Sequence, residues 1–141
     1  MNPLRNKFKL RIKPLTARHG VAAVELAVCL PILVVVSLVT IEVCSMLHLS
    51  QAMKIASFEA ARVGVVPGAE VENVQYQCES LLESRGVKAF AISMNPSDPS
   101  VLESGDYFRV SIEVDYEENA ILGGFLANNR TIDRSTALRA D

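Results

Sequence analysis

Residues 21–44 read VAAVELAVCLPILVVVSLVTIEVC, and how this stretch is taken decides the fold. Leu26 to Ile41 are sixteen consecutive residues without a charge; Glu42 interrupts them, and Val43 to Leu47 are again uncharged. As a helix rising about 1.5 Å per residue, Leu26 to Leu47 would extend roughly 33 Å, enough to cross a bilayer. A buried core helix is the competing reading, and it fails on supply. A helix apolar on all sides needs cover on all sides, and the rest of a 141-residue chain is too short to provide it. A cleaved secretory signal fits less well, because the run exceeds an ordinary h-region and no small-x-small site closes it.

Charge supports a membrane span. The formal net charge of -2 hides an asymmetry: residues 1–20 carry six basic side chains (Arg5, Lys7, Lys9, Arg11, Lys13, Arg18) and none of the 16 acidic ones. A basic arm can bind nucleic acid, but one abutting an apolar helix reads as a cytoplasmic flank under the positive-inside rule. The span excludes a soluble nucleic-acid binder.

Two groups inside the span need a reason. Pro31 lacks an N–H and crowds the carbonyl of Ala27, which predicts a bend; a tolerated kink and a functional hinge are equal readings. Glu42 falls about 24 Å along the helix from Leu26, near the outer interface, where it is expected to reach water. Glu25 is the odder case, because any apolar residue would have served there.

Beyond Leu47 the pattern turns amphipathic without a break. Leu49, Met53, Ala56 and Ala60 recur at helical spacing among Gln51, Lys54, Glu59 and Arg62, so one helix from about residue 21 to 65 is expected. GVVPGA at 64–69 stops it. EVENVQYQCESLLESRG predicts a second helix, with Val71, Val74, Cys78 and Leu81 on one stripe and Gly86 as its stop. VKAFAISM at 87–94 suggests a strand, NPSDPSVLESGD a loop, and YFRVSIEVDYE the clearest strand, with Phe108, Val110, Ile112, Val114 and Tyr116 on its apolar face. NAILGGFLANN reads as a loop whose Ile121, Leu122, Phe125 and Leu126 touch membrane or a neighbour, or cover the sheet edge. RTIDRSTALRA supplies a final, weaker strand. The expected fold is α+β: a long N-terminal transmembrane helix continuing into a small outer domain with a second helix and an antiparallel sheet of about three strands.

Catalytic chemistry has no carrier here. His19 and His48 lie at opposite ends of the span and outside any Cys/His set with metal spacing, so no metal site is expected. No base is paired with a nucleophile. Gly123–Gly124 lack the setting of a phosphate loop. Glu113, Asp115, Glu117 and Glu118 read as a solvated strand face before they read as a cation site. No enzyme activity and no cofactor are expected. Cys29 and Cys44 sit in the span as small apolar residues, and Cys78 reads as a half-buried thiol on the second helix.

Residues 5–26 resemble a class III signal peptide of the type IV pilin superfamily: a basic leader, a glycine, then an apolar helix with glutamate as its fifth residue. In RHGVAAVEL the cut would fall between Gly20 and Val21, making Glu25 that fifth residue. Pro31 in the span, Ile41-Glu42 late in it, Ala60-Ala61-Arg62-Val63-Gly64 after it, and STALR near 135–139 are together similar to the TadE-like family, minor pseudopilins of tight adherence (Flp) pilus systems. The likeness is good over residues 18–64 and loose beyond. The major Flp pilins have tyrosine after the glutamate, where this chain has Leu26; both a cut and an uncut chain remain open.

The resemblance implies a division into a basic leader (1–20), a transmembrane helix (21–48) and an extracytoplasmic domain (49–141). It implies a single-pass protein of the cytoplasmic membrane, N-terminus inside, that assembles a pilus without catalysis. Implied partners are a prepilin peptidase, other pseudopilins and the major pilin, the inner-membrane assembly platform and the lipid bilayer, with no nucleic acid. It gives Gly20 and Val21 the role of scissile pair and Glu25 that of assembly carboxylate, with Pro31, Glu42 and Arg62 as lesser structural candidates. A freed α-amine, with an ordinary pKa of about 8, is mostly protonated and needs an anion when buried among helices; Glu25 one turn on, or on an adjacent subunit, supplies it and sets register. The plainer alternative leaves Glu25 idle at headgroup level. The alternative function is an uncleaved single-pass sensor or ligand-binding protein with a small extracytoplasmic domain.

Overall fold

The computed structural model describes residues 17–123 and 130–140. The basic side chains at 5–13 and the apolar pair Phe125 and Leu126 lie outside the described residues, as do the side chains of Arg18 and His19. Seven elements follow in order: α1 (Ala17–Gly64), α2 (Val71–Ser84), β1 (Phe90–Asn95), a 3-10 turn (Pro99–Val101), β2 (Tyr107–Asp115), α3 (Tyr116–Asn119) and β3 (Thr131–Arg139). The fold is the α+β arrangement read from the sequence.

The chain divides into two compact units, one ending at Val36 and one running from Ser37 to Asp141. The described part of the first is helical throughout, and α1 continues through Pro31 without losing its assignment. Its large apolar side chains are bare, Val24 at 65% and Leu33 at 61% exposure. No described residue covers them. By length and composition the helix can cross a membrane, and a surface apolar on every side is what a lipid environment selects.

The second unit owes its core to small residues. On α1, Ala52, Met53, Ala56, Ser57, Ala60 and Ala61 are fully buried, a stripe at three- and four-residue spacing. Short side chains let a sheet approach the helix closely. The sheet is antiparallel in the order β1-β2-β3, so β2 sits in the centre and sends Phe108, Val110, Ile112 and Val114 into the core while alternate residues stay wet. Ile112 pairs with Ile92 on one side and Arg134 on the other. From α2, Val74, Cys78 and Leu82 close the core.

Gly64 makes the approach concrete. A Cβ built there would fall inside contact distance of the Phe108 ring, 2.9 Å from its Cζ and closer to two other ring carbons. The glycine that reads in sequence as a helix stop is therefore also where the sheet meets the helix. Gly86, at φ 72°, ends α2 as expected.

Four expectations are corrected. The strand sought at 87–94 begins only at Phe90, because Ala89 takes a left-handed conformation with φ 49°. Tyr116 is buried but no longer in the strand: the Asp115 carboxylate accepts the Glu117 N–H at 3.1 Å and turns the chain into α3. The last strand is not weak, since β2 pairs with it across nine residues from Tyr107–Arg139 to Asp115–Thr131. Cys78 is fully rather than half buried.

Candidate functional site

Gly20, Val21 and Glu25 lie on α1 within the first unit. Val21 and Glu25 are four residues apart and so share a helix face, one turn separating the backbone nitrogen of the first from the carboxylate-bearing residue. Both are exposed, Val21 at 59%. Gly20 has helical backbone, and a Cβ there would meet nothing within 4 Å. Neither its conformation nor packing by the described residues calls for a glycine at that position. It costs helix stability relative to alanine, about 1 kcal/mol.

Glu42 and Arg62 belong to the second unit and do not form one site. Arg62 is 70% exposed at its side chain and pairs with Glu59 at 3.8 Å, a surface contact worth little. Glu42 corrects the expectation that it reaches water. It is 1% exposed, and neither carboxylate oxygen finds a hydrogen-bond partner. The fully buried Tyr116 lies over it and donates its hydroxyl to the Glu42 main-chain carbonyl at 3.3 Å. Burial, and then the neighbouring Glu42, push the Tyr116 phenol above its ordinary pKa. An unpartnered buried carboxylate destabilises the fold that holds it.

Sequence reasoning missed the residues that tie the sheet and α3 to their neighbours. Ser57 Oγ and Thr136 Oγ1 are hydrogen-bonded at 2.8 Å, and Arg134 Nε donates to Ser50 Oγ at 2.9 Å. Asn119 grips Lys88 twice: its Oδ1 accepts the Lys88 N–H and its Nδ2 donates to the Lys88 carbonyl, each at 2.7 Å. The available signal was the run of Ala and Ser at helical spacing past residue 50, which marks a face built for close contact. Among the described residues, no group of three His, Cys, Asp or Glu side chains is placed to hold a metal. Asp115 serves as the α3 cap.

The class these features define is an α+β protein with, among the described residues, one helix long and apolar enough to cross a membrane. A family model described as TadE-like protein matches residues 20–62, and over that segment the chain is similar to that family. The match opens at Gly20 and takes in the bare helix, Glu25, Pro31, Glu42 and most of the small-residue face. No curated protein and no solved structure matches the chain.

Proposed function

We propose that this protein is a minor pseudopilin of a tight adherence (Flp) pilus, a non-catalytic assembly subunit processed by a prepilin peptidase between Gly20 and Val21. The observation that carries the reading is Gly20: no described residue packs against that position, whereas a protease pocket that accepts only hydrogen at the residue before the cut does call for a glycine. The TadE-like match starting at that residue supports it.

In this reading residues 1–20 are the leader, 21–48 the span and 49–141 a domain outside the cytoplasmic membrane. The basic flank stays inside under the positive-inside rule. Cleavage creates an ammonium at Val21 on the face that carries Glu25. Within a bundle of neighbouring spans, an ammonium and a carboxylate in low dielectric are costly to separate, so the pair fixes helix register more than it adds stability. Other pseudopilins, the major pilin and the membrane platform contact the bare helix, and a separate motor supplies the work.

The test is the N-terminal residue of the membrane-extracted protein, with and without co-expressed peptidase. Gly20→Ala leaves the helix as stable or up to about 1 kcal/mol more stable, so its loss of cleavage would report recognition and not misfolding. A chain still beginning at Met1 beside an active peptidase would sink the proposal and favour an uncut sensor.

A further inference from the structure

A groove of about 430 Å³ opens beside α1 where the apolar run ends. Its floor is Ile41, Cys44 and Val87, the exposed Ile121 flanks it, and its polar rim is His48 and Arg85. Ile41, Cys44 and His48 follow one face of α1 at three- and four-residue spacing, which spreads them over about 10 Å along the axis. The apolar end of the groove therefore lies at the depth of upper acyl chains, and the rim lies where the roughly 33 Å apolar run gives way to headgroups.

The rim carries one guanidinium, and the backbone beneath it is held in place. Arg85 caps α2, its N–H bonded to the Leu82 carbonyl at 3.1 Å, and Gly86 and Val87 turn back onto the same helix end. Asn119 then clamps Lys88 on both its backbone groups. The sole ion pair among the described residues is Arg62–Glu59, so the exposed Arg85 guanidinium has no carboxylate partner there. A guanidinium carried on a held stretch of backbone and an imidazole, both lining an apolar trough at headgroup height, match one ligand chemistry: a phosphodiester carrying hydrocarbon chains.

We propose that this groove seats one anionic phospholipid, its phosphate on Arg85 and His48 and the start of an acyl chain along Ile41, Cys44 and Ile121. The seat fixes how deep the second unit rides on the bilayer. The proposal rests on the reading of α1 as a membrane span and is independent of the pilus assignment.

The test uses the full chain in nanodiscs of phosphatidylcholine, with or without phosphatidylglycerol, followed by gentle release and native mass spectrometry of retained lipid. Wild type should keep one phosphatidylglycerol in preference to phosphatidylcholine. Arg85→Gln should lower that preference about tenfold and His48→Gln by less, as loss of a charge-assisted hydrogen bond requires. Arg109→Gln, an exposed β2 position away from the groove, serves as the control and should retain the wild-type value. Equal retention by wild type and Arg85→Gln, displacement by inorganic phosphate, or a second copy of the chain in place of lipid would each overturn the seat. A chain that fails to enter the discs at all would overturn the span, and the seat with it, while Gly20 processing would still be scored separately.

Discussion

Replacing Gly64 by alanine adds one methyl group at the point where α1 and β2 touch. Ordinary carbon contacts lie at about 3.5–4.0 Å, whereas the new Cβ would stand 2.9 Å from Phe108 Cζ and nearer still to Cε1 and Cδ1. The ring is fully buried and its residue is locked opposite Leu138 in the sheet register, so it withdraws only if the strand moves. Overpacking of this kind costs roughly 1–3 kcal/mol. Alanine's better helix propensity returns less than about 1 kcal/mol at a helix end, so the clash wins, and a net loss of roughly 1–2 kcal/mol is expected. That corresponds to a fall in Tm of roughly 4–15 °C for a domain of this size. Labelling of Cys78 is a clean assay in a background where Cys29 and Cys44 are serine, because Cys78 is fully buried when folded. Phe108→Leu should relieve part of the penalty in Gly64→Ala, giving a coupling of about 1 kcal/mol or more in a double-mutant cycle. If Gly64→Ala melts within about 0.5 kcal/mol of wild type, or Phe108→Leu gives no relief, the close approach is not what Gly64 serves.

Other expectations follow from single contacts. Glu42→Leu removes a buried carboxylate whose two oxygens have no partner, while the Tyr116 bond to the main-chain carbonyl survives; the melting temperature should rise, by about 1–3 kcal/mol equivalent, and a drop would refute the burial argument. If the same variant fails to support piliation, Glu42 is retained for function at the expense of stability. Burial pushes the Cys78 thiol up from 9.0 to about 12, with Glu79 adding to it. Its folded pKa is thus above the unfolded one, so its contribution is intact below pH 9 and is lost as pH rises toward 12; denaturant melts of wild type and Cys78→Ala should converge over that window. Asn119→Ala deletes three hydrogen bonds of 2.7 to 2.9 Å that hold Lys88 and the end of β2. It should cost about 1–2 kcal/mol and speed amide exchange at Lys88, and unchanged exchange there would show the clamp to be idle.

Much of this fold was legible because its signals are local. The alternation from Phe108 to Val114 and the apolar run from Leu26 depend only on neighbours in sequence, and both read correctly. Tyr116 misled because the alternation continues one residue too far; what ends the strand is the Asp115 side chain reaching the Glu117 N–H, a choice that periodicity does not encode. The strength of β3 comes from its nine-residue partner and not from its own composition. Glu42 was the harder case. Its burial is set by a tyrosine 74 positions away, and no local rule tells an interfacial carboxylate from one capped by a distant ring. The same holds for Gly64, whose meaning depends on Phe108. Gly20 is the reverse: only the motif singles it out, and no described residue comes within 4 Å of a Cβ placed there.

Helix α1 supplies, through Ala52, Ala56, Ala60 and Gly64, one wall of the second unit's core. From Ser37 onward it has no hinge at which the sheet could swivel. Twisting that stretch about its own axis must therefore carry the sheet around with it, as a key turns with its shaft. Any partner that grips the shaft sets the heading of the blade.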